Sequence, residues 1–130
     1  MILADTSLWI DYLRGTPSIA TEQLDERLAA RDVLMCGPVA AELLTGLDAR
    51  ERMRLWETLS SMEWADIARA DWFGAGDLRA ELRGRGVQVS LPDVLIAGAA
   101  LNRAALWTRD REFEEIARAL GDLDLRLLEP

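Results

Sequence analysis

Four carboxylates stand where a fold could gather them: Asp5, Glu42, Asp93 and Asp110. Asp5 closes the apolar run Ile2-Leu3-Ala4, and Asp110 follows the run that ends at Trp107. Asp93 follows Pro92 at a helix start, and Glu42 lies one turn into a helix that opens with Gly37-Pro38. Carboxylates brought together repel and raise one another's pKa unless a cation sits among them. Oxygen-only donors suit a hard divalent ion, Mg²⁺ or Mn²⁺. Metal binding is therefore the chemistry these residues offer.

The absences narrow the alternatives. The chain has no histidine, and all 15 of its basic residues are arginine. That removes a Ser-His-Asp triad, a His-ligated zinc, a Walker A loop, a Schiff base and a Ser-Lys pair. A haloacid-dehalogenase-like site or a receiver site also needs a lysine, and position 7 is Ser rather than the second aspartate of the former. The lone Cys36 makes no internal disulfide, which points to a reducing cytoplasm. Nothing reads as a signal peptide or a membrane span. The net charge of −8 opposes nucleic-acid binding, but a loaded metal reverses the local sign at a carboxylate cluster. Arginines gather at Arg50, Arg52 and Arg54, at Arg79, Arg83 and Arg85, and at Arg109 and Arg111. Solvated helix faces account for most of them.

Each acid also has a structural explanation. Asp5 can cap a helix starting near Ser7, Asp110 a helix starting at Arg111, and Ser90 and Asp93 stand at capping-box spacing. Glu42 is different. It shares a helix face with Val39, Leu43 and Gly46, where burial of an unpaired charge is costly, so it is expected to need a partner.

The elements that must position these acids follow from periodicity. Short apolar runs predict strands at 2–4, 33–36, 104–107 and 125–128, with a weaker one near 64–67. Helical spacing occupies 17–30, 49–62, 69–83 and 93–104, and Phe113, Ile116, Ala117 and Leu120 form a further stripe. The segment 94–101 is apolar on nearly every face and is expected inside the protein, with Gly98 as a close packing point between helices. The five tryptophans are assigned to core or dimer packing, Trp56 and Trp72 especially, over a base-stacking platform. Strands alternating with helices predict one α/β domain over 1–130, with a parallel sheet of four to five short strands and helices on both faces. Its working site should lie beyond the carboxyl ends of the strands, where all four acids fall.

Four segments, in order, resemble the blocks of a PIN domain: Ile2-Leu3-Ala4-Asp5-Thr6-Ser7, Pro38-Val39-Ala40-Ala41-Glu42-Leu43, Leu91-Pro92-Asp93-Val94-Leu95-Ile96-Ala97 and Thr108-Arg109-Asp110-Arg111-Glu112-Phe113. The likeness covers essentially the whole chain and extends to the VapC toxins of bacterial toxin–antitoxin pairs. It implies a Mg²⁺- or Mn²⁺-dependent endoribonuclease acting on structured transfer or ribosomal RNA. It further implies a homodimer held inactive by a cognate antitoxin in a higher hetero-oligomer. On this likeness Asp5, Glu42, Asp93 and Asp110 are the catalytic and metal-binding acids, and Ser7 and Thr108 are supporting polar residues. The alternative is a silent module that keeps the fold and only engages a partner protein.

Overall fold

A computed structural model describes residues 1–129. Five strands are joined in parallel: β1 (Ile2–Ala4), β2 (Val33–Met35), β3 (Glu63–Trp64), β4 (Ala105–Thr108) and β5 (Leu125–Leu127), in the order β3-β2-β1-β4-β5. Register pairs Ile2 with both Val33 and Ala105, so β1 lies at the centre. Every residue of β1 and β2 is buried. Successive strand side chains point to opposite faces, so both faces of these central strands are covered.

Seven helices among the described residues provide that cover. Between β1 and β2 run α1 (Thr6–Leu13) and α2 (Ile19–Ala29), and between β2 and β3 run α3 (Gly37–Thr45) and α4 (Ala49–Ser60). Between β3 and β4 run α5 (Arg69–Gly84) and α6 (Leu91–Ala100), and α7 (Phe113–Leu120) precedes β5. Their starts are chemically marked: Asp5, Ser18, Asp48 and Ser90 each accept a backbone N–H in the first turn. None is long and apolar enough to cross a membrane.

The chain order places β2 and β3 on one side of β1, then crosses back to lay β4 and β5 on the other. The direction of winding therefore reverses between β1 and β4. The loops leaving their carboxyl ends diverge there and open a crevice.

Several expectations are corrected. The helix predicted over 93–104 is α6, and it ends at Ala100. Asn102, with φ 61°, turns the chain through the left-handed region before β4. Val94 to Ala97, Ala99 and Ala100 are buried as expected, but Gly98 is not a packing point, because a Cβ placed there meets nothing within 4 Å. Trp56 and Trp72 are not core residues; they are 46% and 55% exposed, while Trp9 and Trp107 fill the interior.

Candidate metal centre

Asp5 is built into the crevice by two elements at once. Its backbone N–H donates to the Trp107 carbonyl, 3.0 Å away, extending the pairing of β1 with β4 by one residue. Its side chain caps α1 by accepting the Leu8 N–H at 3.0 Å through Oδ1. Its other oxygen, Oδ2, accepts the hydroxyl of Thr108. Asp5 is 3% exposed, and Thr108 is fully buried. Burial pushes the Asp5 carboxyl above its ordinary value, against the lowering effect of these two hydrogen bonds, and the charge of Asp110 pushes it further. The cap foreseen from sequence is present, and the same carboxylate faces the other acids.

Thr108 is the hinge pin of the arrangement. While its hydroxyl donates to Asp5, its oxygen accepts the Asp110 N–H at 2.9 Å. One side chain at the end of β4 thus fixes an acid from β1 and the backbone of another from its own loop. Asp110 does not cap a helix at Arg111; α7 begins at Phe113. Its Oδ1 instead accepts the Glu112 N–H at 2.9 Å, folding the loop back on itself.

That turn brings in a residue the sequence reading missed. Asp93, Asp110 and Glu112 each offer an oxygen, and these oxygens all lie within 4.8 Å of one another. Glu112 was discernible only as the second acid of the Thr108–Glu112 segment, and its helix-start setting disguised it. Asp93 sits in the first turn of α6, where Ser90 caps the helix by accepting its N–H at 3.2 Å. Burial raises the Asp93 carboxyl, and the charges of Asp110, Glu42 and Asp5 raise it further, so all four expected acids share one electrostatic neighbourhood.

Glu42 is exposed, contrary to the expectation of a buried acid on an apolar face. The stripe of α3 is carried by Val39, Ala40 and Leu43, and Glu42 points off its edge. Its partner is neither arginine nor lysine: the Thr6 hydroxyl donates to Oε1 at 2.8 Å, joining α1 to α3. Ser7, the polar neighbour assigned from sequence, is exposed and makes no side-chain hydrogen bond among the described residues; Thr6 has that place. No arginine among the described residues pairs with Asp5, Glu42, Asp93, Asp110 or Glu112. Arg109, between Thr108 and Asp110, turns away to pair with Asp11. The oxygens that lie close together are those of Asp93, Asp110 and Glu112; Asp5 and Glu42 stand outside that group and act on Asp93 through their charge. Oxygen donors grouped without an arginine ion pair fit a hard divalent ion.

A PIN-domain family model matches residues 2–119. The chain belongs to the PIN-domain family. It is 36% identical over 124 residues to ribonuclease VapC11 of Mycobacterium tuberculosis, covering 91% of this chain and 92% of that one. Ribonuclease VapC32 of the same organism is 29% identical over 121 residues, covering 93% of this PIN domain and 94% of its relative. Among solved structures, the VapBC2 complex of Rickettsia felis bound to promoter DNA contains a chain similar at a TM-score of 0.74 and 27% identity, covering 99% of this chain and 100% of that one.

Proposed function

We propose that this PIN domain is a divalent-metal-dependent endoribonuclease, the toxin of a toxin–antitoxin pair. The carrying observation is the Asp93, Asp110 and Glu112 carboxylate group beyond the ends of β1 and β4, tied to Asp5 through Thr108 and without an arginine ion pair among the described residues. The likeness to VapC ribonucleases supplies the substrate class, and the VapBC complex supplies the kind of partner.

In this reading Asp5, Asp93 and Asp110 hold Mg²⁺ or Mn²⁺, with Glu112 as an added donor. The ion supplies Lewis acidity and neutralises charge as a phosphodiester is hydrolysed. Thr108 holds the Asp5 carboxylate and the Asp110 backbone at the end of β4, and burial around Asp5 keeps water from loosening that hold. Glu42, whose Oε1 is held by Thr6, has Oε2 free to orient the attacking water. Attack by water leaves a 5′-phosphate and a 3′-hydroxyl. Attack by the ribose 2′-hydroxyl would draw on an acid–base pair, and this chain has neither histidine nor lysine for it. A cognate antitoxin, and a homodimer assembled with it, complete the reading. An arginine from the antitoxin suits this acidic crevice, since guanidinium pairs well with carboxylate.

Purified protein incubated with cellular RNA should cut it in Mg²⁺ or Mn²⁺ and stop in EDTA. Asp5→Asn should lower the rate on the order of a hundredfold or more. Full cleavage in chelator, or products ending mainly in 2′,3′-cyclic phosphate, would overturn the mechanism.

A further inference from the structure

Arginine groups and exposed tryptophans are unexplained by the metal centre, and on α5 they coincide. Trp72, Gly76, Arg79 and Arg83 follow one another at spacings of four, three and four, so they share one face of the helix over about 16 Å. That face borders two hollows. One, of about 470 Å³, is walled by Trp64, Ile67, Trp72, Pro92 and Leu95 and reaches Glu42. The other, of about 430 Å³, is lined by Gly76, Arg79, Ala80, Arg83, Gly84 and Leu91.

The first turn of α6 joins both hollows to the acids. Leu91 borders the arginine hollow, Pro92 borders the tryptophan hollow, and the next residue, Asp93, belongs to the carboxylate group. Trp64 is a fixed wall: its indole N–H donates to the Leu59 carbonyl at 2.8 Å, and its ring meets Trp56 edge to face at 5.7 Å. Trp72 lines the same hollow and is half exposed. Arg79 is held by one bond, from Nε to the Val89 carbonyl at 3.1 Å, which leaves its terminal nitrogens available. Among the described residues neither Arg79 nor Arg83 has a carboxylate within ion-pair distance, whereas Arg85 is taken by Glu81 at 2.7 Å.

We infer that this α5 face is a binding track for single-stranded RNA, with a base on Trp72 and phosphates on Arg79 and Arg83, delivering the strand past Asp93 to the metal centre. Aromatic faces hold bases and guanidiniums hold phosphates, and a nucleotide strand carries both along one line. The unpaired arginines repel a basic antitoxin segment, which separates this track from the acidic crevice. The inference rests on the ribonuclease reading for its direction and not for the binding itself.

The test is fluorescence titration with a short, fully 2′-O-methylated single-stranded RNA in Mg²⁺, repeated across salt concentrations. Arg79→Gln and Arg83→Gln should each reduce the slope of log K against log salt by about 0.7. Arg79→Lys, which keeps the charge, should restore the slope and show that the Gln variant is not merely misfolded. Trp72→Ala should weaken binding about tenfold with the slope unchanged, and should remove the indole quenching that RNA produces. Phe73→Ala, on the neighbouring exposed position, and Arg118→Gln on α7 should change neither quantity. Unchanged slope and affinity in the Arg79, Arg83 and Trp72 variants would overturn the track, as would loss of antitoxin binding alone with RNA affinity intact. RNA that is cleaved while these variants bind normally refutes the track and leaves the nuclease reading standing. The methylated strand bound with the expected dependences, while cellular RNA is never cleaved in Mg²⁺ or Mn²⁺, supports the track and removes the nuclease reading.

Discussion

The two ends of the sheet treat their aspartates in opposite ways. At the amino-terminal edge, Asp32 sits between the Arg27 guanidinium and the Met1 ammonium, the latter 3.3 Å away. Its hydrogen bond to Arg27, then the amino terminus, hold its carboxyl below the usual value. Arg27 also lies over the Trp107 ring at 5.1 Å, with Arg126 on the same ring at 5.0 Å, so cations there are bound into the structure. At the carboxyl end, Asp5 and Asp93 face Asp110 and have no arginine partner, and both are pushed upward. The first end is electrostatically complete. The second is left short of positive charge, and that deficit is what a metal or a partner's arginine can relieve.

Thr108 gives the largest expected contrast. Thr108→Val preserves the shape of a buried side chain but leaves Asp5 and Asp110 without their shared hydroxyl. Metal-dependent cleavage should fall about 10- to 100-fold. The fold should lose about 1–3 kcal/mol, the cost of unmade buried hydrogen bonds, read from urea unfolding. Thr108→Ser should recover most of both. Normal cleavage by the valine variant would show that the link between β1 and β4 does not set the acids.

A smaller effect, of opposite sign at the two ends, should appear in melting curves of chelated protein. Asp93 has a raised folded-state value, so between its ordinary 3.8 and that value the folded protein binds more protons than the unfolded chain. Its contribution is therefore a penalty, present in full above the folded pKa and relieved as pH falls through the window. Asp93→Asn should raise the metal-free Tm at neutral pH by about 2–4 °C and flatten its rise on acidification. A fall in Tm would mean that Asp93 is a structural cap and not a crowded acid.

Asp32 should give the smallest change. Its folded-state value is lowered, so its stabilisation is present above 3.8 and lost as pH falls through the folded pKa. Asp32→Asn should lower the neutral-pH Tm slightly and leave acid melting nearly unaltered, with cleavage intact. Equal pH profiles for the Asp32 and Asp93 variants would erase the distinction between the two ends.

Much of this was written in the sequence. The apolar runs at 2–4, 33–36 and 104–107, too short and too continuous for surface helices, fixed a buried parallel sheet, because such strands are covered on both faces. Since the working end of that sheet follows from its topology, the positions of Asp5, Asp93 and Asp110 pointed to one crevice. The lack of histidine and lysine confined the chemistry to carboxylates. Tertiary structure decided what local pattern leaves free. Helical spacing gives the face a residue occupies but not what covers that face, so Glu42 was placed inside and lies outside, held by Thr6. For the same reason Trp72, whose spacing suits core or dimer packing, lies half exposed outside the core, and Gly98, whose place suits a packing point between helices, is open. Glu112 joins Asp93 only because the loop after β4 folds back on Asp110, a hydrogen bond between neighbours that periodicity does not encode. Thr108 reaches Asp5 across 103 residues of sequence, and pairing over that distance exists only once β1 and β4 lie side by side.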